Sequence, residues 1–102
     1  MSFAVDTLVL AGSGSLSARH AENLLATGGQ LVDVRSPADF NQGALPGARN
    51  LPLEALCYEY HHLDKSEPVI LYGAQDVACA RAARLLAGKG FSRIYHLVPA
   101  RG

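Results

Sequence analysis

Residues 68–86 place the strongest constraint on the fold, because they contain a buried strand, a short loop and a helix in that order. Val69–Tyr72 is an unbroken apolar run bounded by turn residues, which is typical of a strand in a parallel sheet. Residues from about 76 to 87 have the periodicity of an amphipathic helix. The intervening loop thus lies at the carboxyl end of a strand, where open α/β sheets bind ligands.

The helix of residues 76–87 is predicted to bury apolar residues spaced by three, with Cys79 and Leu85 beside them. This predicted stripe consists of Val77, Ala80, Ala83 and Leu86. Cys79 lies in the first turns, where the helix dipole lowers a thiol pKa, and Arg81 and Arg84 follow it. Because cysteine is also among the most buried residue types, a packed and a reactive Cys79 both stay open, and packing is favoured.

The rest of the chain continues the alternation of strands and helices. Ser17 is a candidate N-cap for a helix that ends at Gly28, and residues 30–34 form a strand. Ser36 and Pro37 begin a brief helix, residues 53–60 form a helical patch, and residues 94–98 form a last strand. This order predicts one α/β domain, a parallel sheet with helices on both faces, over residues 16–102. Residues 1–15 are interpreted as an N-terminal arm or a short edge strand.

The composition argues against several classes of function. Nine basic residues balance nine acidic ones in 102 residues, so neither a nucleic-acid nor a membrane partner is expected. Two widely spaced cysteines are typical of reduced thiols in a cytoplasmic protein. The four histidines lack ligand spacing, and no metal or cofactor is expected.

Several motifs, in order, resemble the rhodanese-like domain family, which is related to Cdc25. They are Leu31-Val-Asp-Val-Arg35, Asp39-Phe40, Gly43-Ala-Leu-Pro-Gly-Ala48 and Asn50-Leu-Pro52, followed by a second half from Val69 to Phe91. The resemblance implies a three-layer fold with a mainly parallel sheet of about five strands. It also implies sulfur transfer from thiosulfate through a persulfide on a cysteine at the first position of the loop.

The chain departs from the family pattern at the positions that carry this chemistry. Gly73 stands where the family has its nucleophilic cysteine, and Ala78 where an arginine binds the anion. Asp76 stands where a glycine is common, and Ala44 where a histidine is usual. The degenerate loop comprises Gly73, Ala74, Gln75, Asp76, Val77 and Ala78. These departures predict a non-catalytic member that recognises a ligand or a partner. The alternative is a sulfurtransferase or sulfur carrier that uses a displaced thiol, Cys79 first and Cys57 second.

Residues around this loop are predicted to have structural or recognition roles. Asp33 is expected to accept backbone hydrogen bonds, and Arg35 to pair with Asp39 four residues later. With Ala44, these residues form the predicted rim of the site. A surface patch for a protein partner is predicted at Tyr58, Tyr60, His61 and His62. By family analogy, a sulfur-transfer or redox protein is the expected partner of a monomer or weak homo-oligomer.

Overall fold

The computed structural model describes residues 5–10, 14–16, 18–73 and 76–99. These ranges contain six strands, four α-helices and one 3-10 helix. In chain order they are β1 (Val5–Leu10), β2 (Gly14–Leu16), α1 (Ala18–Ala26), β3 (Gln30–Asp33), α2 (Pro37–Gln42), β4 (Arg49–Asn50), α3 (Leu53–Glu59), the 3-10 helix (Tyr60–His62), β5 (Val69–Tyr72), α4 (Asp76–Gly88) and β6 (Ile94–Pro99).

The strands form one sheet in the order β2-β1-β6-β5-β3-β4. The four strands β4, β3, β5 and β6 are parallel, which confirms the predicted parallel sheet and is close to the expected number of strands. At the other side of the sheet, β1 is antiparallel to both β6 and β2. Of the two strands that involve the predicted N-terminal arm, β1 is therefore an interior strand, and β2, which extends one residue past the arm to Leu16, stands at the edge.

Helices cover both faces of the sheet, as the alternation of elements predicted. Successive residues of β3 and β5 point to opposite faces, so each strand contributes to two apolar clusters. On one face, Val32 and Leu71 pack with Leu56 of α3 and Leu86 of α4. On the other face, Leu31, Ile70 and Leu97 pack with Ala21 of α1. Burial on both faces explains why the strand sequences are apolar throughout rather than alternating.

Local sequence signals fix the ends of the short helices. The Ser36 side chain accepts a hydrogen bond from the Asp39 N–H, and Pro37 occupies the first helical position of α2, as predicted. At the end of α1, Gly28 adopts φ 117°, which lets the Gly29 N–H donate to the Leu24 carbonyl at 2.7 Å. The predicted N-cap Ser17 lies outside the described residues.

Candidate functional site

The candidate site lies where the parallel strands β3 and β5 end side by side. The Val34 N–H donates to the Tyr72 carbonyl at 2.9 Å, which holds the two carboxyl ends together. Gly73 follows β5 directly and is buried, and α4 begins at Asp76. The helix predicted from about residue 76 is confirmed, and its first turn contains Asp76, Val77 and Ala78 of the degenerate loop. Ala74 and Gln75 lie outside the described residues.

A buried ion pair stands at the end of β3, beside this loop. The Arg35 Nη2 lies 2.8 Å from Asp33 Oδ2, and its Nε donates to both carboxylate oxygens at 3.1 Å. The Asp33 side chain is fully buried, and that of Arg35 is 17% exposed. The prediction that Arg35 pairs with Asp39 is wrong, because Asp33 at the end of β3 lies within reach of a two-pronged contact. Asp33 also accepts the Arg35 backbone N–H at 2.9 Å, as expected.

The Arg35 guanidinium has further contacts that hold it at the rim of the loop. Its Nη2 donates to the Gly43 carbonyl at 2.6 Å, and the group lies 5.2 Å from the centre of the Tyr72 ring. Hydrogen bonding to the Asp33 carboxylate raises the pKa of Arg35, with desolvation opposing it. The cation at this end of the sheet is therefore already neutralised by a neighbour inside the protein. Ala44, the next residue after Gly43, is exposed.

Asn50 also holds the turn after β3, a role that was not predicted from the sequence. Its side-chain Nδ2 donates to the carbonyls of Asp33 and Arg35, each at 3.0 Å. The amide thus ties the turn after β3 to the short strand β4. The Asn-hydrophobic-Pro motif was the available signal, but the partners of an amide depend on which strands are neighbours.

The two cysteines differ sharply in exposure. Cys79 is 0% exposed and belongs to the cluster beneath α4, whereas Cys57 is exposed on α3 and its Sγ donates to the Glu54 carbonyl at 3.6 Å.

The buried face of α4 differs from the predicted one, since Val77 is 59% exposed and Ala80 is also exposed. The buried residues are Cys79, Ala82, Ala83 and Leu86. Cys79 is therefore the first residue of the buried stripe.

The predicted partner patch is a surface formed by α3 and the 3-10 helix after it. Tyr58 is 62% exposed, and the exposed rings of His61 and His62 lie 4.3 Å apart. Tyr60 is half-buried, with its ring edge-on to His61 and 5.0 Å from Lys89 Nζ. Aromatic groups held in this way present contact area at low entropic cost.

The described residues lack two other kinds of feature. Within those ranges no group of three or more His, Cys, Asp or Glu side chains could hold a metal ion. Across the same part of the chain, no helix has both the length and the apolar character needed to cross a bilayer.

Comparisons of the sequence with known proteins agree on one family. The rhodanese-like domain matches residues 17–98. The protein YqhL of Bacillus subtilis is 41% identical over 68 residues, which are 67% of this chain and 54% of YqhL. The thiosulfate sulfurtransferase GlpE of Ectopseudomonas mendocina is 34% identical over 82 residues, or 80% of this chain and 75% of that protein. The chain thus spans about half of the first relative and three quarters of the second.

Solved structures show the same relationship at the level of the fold. The crystal structure of the Alr3790 protein from Anabaena sp. matches with a TM-score of 0.71 and 29% identity, over 78% of this chain and 74% of that one. A rhodanese from E. coli, solved with anions, matches with a TM-score of 0.61 and 25% identity, over 65% of this chain and 80% of that one. With most of its length matched, the chain belongs to the rhodanese-like domain family.

Proposed function

We propose that this protein is a non-catalytic rhodanese-like domain in which the loop after β5 and its rim recognise a ligand or a protein partner. The observation that carries the proposal is Gly73, a residue without a side chain at the position directly after β5. Persulfide chemistry requires a thiolate, which attacks the sulfane sulfur and displaces sulfite. A glycine at this position offers no group for that attack.

The surroundings of Gly73 support the same proposal. An active site of this type needs positive charge to hold the oxyanion of the sulfur donor. Arg35 is the cation beside the Tyr72 ring, and it is bound to Asp33 and to the Gly43 carbonyl. Ala78, in the first turn of α4, has a methyl group where the family has an arginine. Without an unpaired cation among these groups, the recognition of a neutral ligand or a polypeptide is favoured over that of thiosulfate.

The partner is proposed by analogy with the relatives. Thiosulfate sulfurtransferase is the name of one relative, and a protein of Allochromatium vinosum that is 32% identical over 67 residues is called a sulfurtransferase. A sulfur-transfer or redox protein is therefore the proposed class of partner. The aromatic and imidazole rings at Tyr58, His61 and His62 supply exposed surface suited to such a contact.

A displaced thiol is the competing proposal, and only Cys57 has the exposure that it needs. Cys79 is fully buried, so a donor would reach its Sγ only after local opening of α4. Sulfur transfer by Cys57 would be independent of Gly73 and would be abolished in Cys57→Ser. This dependence separates the two proposals experimentally.

The test is a thiosulfate sulfurtransferase assay, with cyanide as the acceptor, on the wild type and on a variant with a restored loop. The variant carries Gly73→Cys, Asp76→Gly and Ala78→Arg together. We expect turnover from the variant and none from the wild type, because only the variant supplies both the thiolate and the cation. Turnover by the wild type at a rate similar to the variant's would reject the proposal, and its loss in Cys57→Ser would then identify the displaced thiol.

A further inference from the structure

A second candidate binding site lies at the end of the sheet opposite to the loop. A cavity of about 280 Å³ opens beside Gln30, the first residue of β3, whereas Gly73 follows the last residue of β5. Because Gln30 pairs with Val69 at the start of β5, the cavity and the loop are separated by the length of a strand, roughly 10 Å. Leu25, Leu31, Pro46 and Leu63 provide its apolar lining, and Arg49 lies in its wall.

A backbone donor faces this cavity without an acceptor. In a parallel strand the N–H and C=O of successive residues turn to alternate sides. The Gln30 N–H donates to the Pro68 carbonyl on the β5 side, and the Asp33 carbonyl accepts from the Leu51 N–H on the β4 side. The Leu31 N–H therefore points to the β4 side, just before the paired residues of β4 begin at Arg49. Among the described residues it has no acceptor, although Leu31 is only 4% exposed.

The Leu31 N–H is expected to have a hydrogen-bond acceptor that enters the cavity. Buried backbone N–H groups almost always have an acceptor, in the protein, in water or in a ligand. The wall around this one is fixed, because the Gln30 side chain exchanges two hydrogen bonds with the backbone of Asp64, at 2.9 and 2.7 Å. Both ends of the Gln30 amide are thus held by the backbone of Asp64, on one N–H and on the carbonyl oxygen.

Arg49 adds a cation to the same wall. Its Nη1 donates to the His62 carbonyl at 2.9 Å, which anchors the guanidinium and leaves its other N–H groups available. No carboxylate in the described part of the chain forms a salt bridge with it, in contrast to Arg35. A guanidinium and a backbone N–H that line one cavity match the planar, two-oxygen geometry of a carboxylate.

We propose that this cavity binds the carboxylate of a small organic acid. The carboxylate accepts hydrogen bonds from the Leu31 N–H and from Arg49, while the apolar lining covers the rest of the molecule. A volume of about 280 Å³ corresponds to roughly nine water molecules, which suits a compact acid rather than a nucleotide. This site is independent of the loop after β5, so its failure would leave the proposed function untouched.

The test is an NMR titration of the ¹⁵N-labelled full chain with hexanoate and with its neutral isostere hexanamide. We expect saturable shifts of the Leu31 amide and the Arg49 side-chain Nε with hexanoate, and an affinity for hexanamide that is at least about tenfold weaker. Arg49→Gln should weaken hexanoate binding by about tenfold. The matched control Arg81→Gln, on the exposed side of α4, should leave the affinity for hexanoate unchanged.

A measurement on the wild type alone covers the case in which Arg49→Gln does not fold. Saturating hexanoate should slow hydrogen exchange of the Leu31 amide, and hexanamide should slow it less. Equal affinities for the two probes, equal losses in the two arginine variants, or an unchanged Leu31 amide up to the solubility limit of hexanoate would each overturn the proposal.

Discussion

At the scale of single residues, the Asp33–Arg35 pair sets the charge at the end of β3. The carboxylate is fully buried and receives three N–H groups of Arg35, two from the guanidinium and one from the backbone. The pair fixes the turn after β3 and neutralises the cation beside Tyr72. Its stability contribution depends on both members, because removal of one leaves the other buried without its charge partner.

We expect Asp33→Asn to lower the free energy of unfolding by about 3 kcal/mol, since it leaves Arg35 without its counter-ion in a largely buried position. Urea denaturation measures the loss. Asp39→Asn is the matched control: Asp39 is exposed in the first turn of α2, so its loss should be about 0.5 kcal/mol. Equal effects of the two substitutions would refute a special role for the buried pair.

The exposure of the two thiols predicts their order of alkylation. In the folded protein iodoacetamide should modify the exposed Cys57, while Cys79 should react only after a denaturant opens the cluster beneath α4. Peptide mass mapping after timed quenching gives both rates, and we expect them to differ by at least about a hundredfold. Comparable rates would mean that Cys79 is accessible, which would strengthen the displaced-thiol alternative.

At the scale of elements, the type and order of the helices and strands could be predicted from the sequence better than the contacts that their side chains form. Ser36 and Pro37 indicated the start of α2 correctly, because the capping signal is local. The stripe of α4 was misplaced because Val77 and Ala80 are apolar yet exposed, so periodicity alone left the buried face undetermined. The partner of Arg35 was missed because it depends on side-chain reach at the strand end rather than on helical spacing.

The turn between the 3-10 helix and β5 offers a pH-dependent test at this scale. Asp64 Oδ1 accepts the Ser66 hydroxyl at 2.6 Å and the Ser66 N–H at 2.8 Å, and these bonds hold the pKa of Asp64 below its usual 3.8. A lowered carboxyl pKa contributes stability above its unfolded value, and that contribution disappears as the pH falls through the folded value.

We expect Ser66→Ala to raise the pKa of Asp64 towards 3.8 without reaching it, because the backbone N–H remains as a donor. A ¹³C NMR titration of the carboxyl carbon reads the change. Ser92→Ala, at another exposed serine, should leave the Asp64 titration where it is. If the pKa of Asp64 stayed in place after Ser66→Ala, the hydroxyl contact would not be its cause.

At the scale of the whole molecule, the parallel part of the sheet has two ends with different properties. The carboxyl end has the loop at Gly73 and a neutralised ion pair, and the amino end has a cavity with Arg49 in its wall. On the side of β6 away from β5, β1 continues the sheet. We propose that β1 is part of the domain rather than of an arm before it, because β1 pairs with β6 over most of its length.

Removal of residues 1–16 should expose one side of β6 only. The Val69 N–H donates to the Arg93 carbonyl, so the backbone groups of Arg93 face β5. Because successive residues of a strand turn to alternate sides, the backbone groups of Tyr95 also face β5, and those of His96 face β1. We expect hydrogen exchange of the His96 amide to accelerate by at least about tenfold in the truncated chain, and that of Tyr95 to change less. Equal protection of His96 in both chains would show that β1 does not cover this edge.

The most direct test of the account is the intact mass of the fully reduced wild type after incubation with thiosulfate and then with a persulfide donor. We predict no added sulfur from either donor, because Gly73 offers no thiol, Cys79 is buried, and the exposed Cys57 lies on α3 outside the loop after β5. The restored-loop variant serves as the positive control and should gain one sulfur. A gain by the wild type that maps to Cys57 or Cys79 would contradict the account and make that thiol the centre of a sulfur-transfer mechanism.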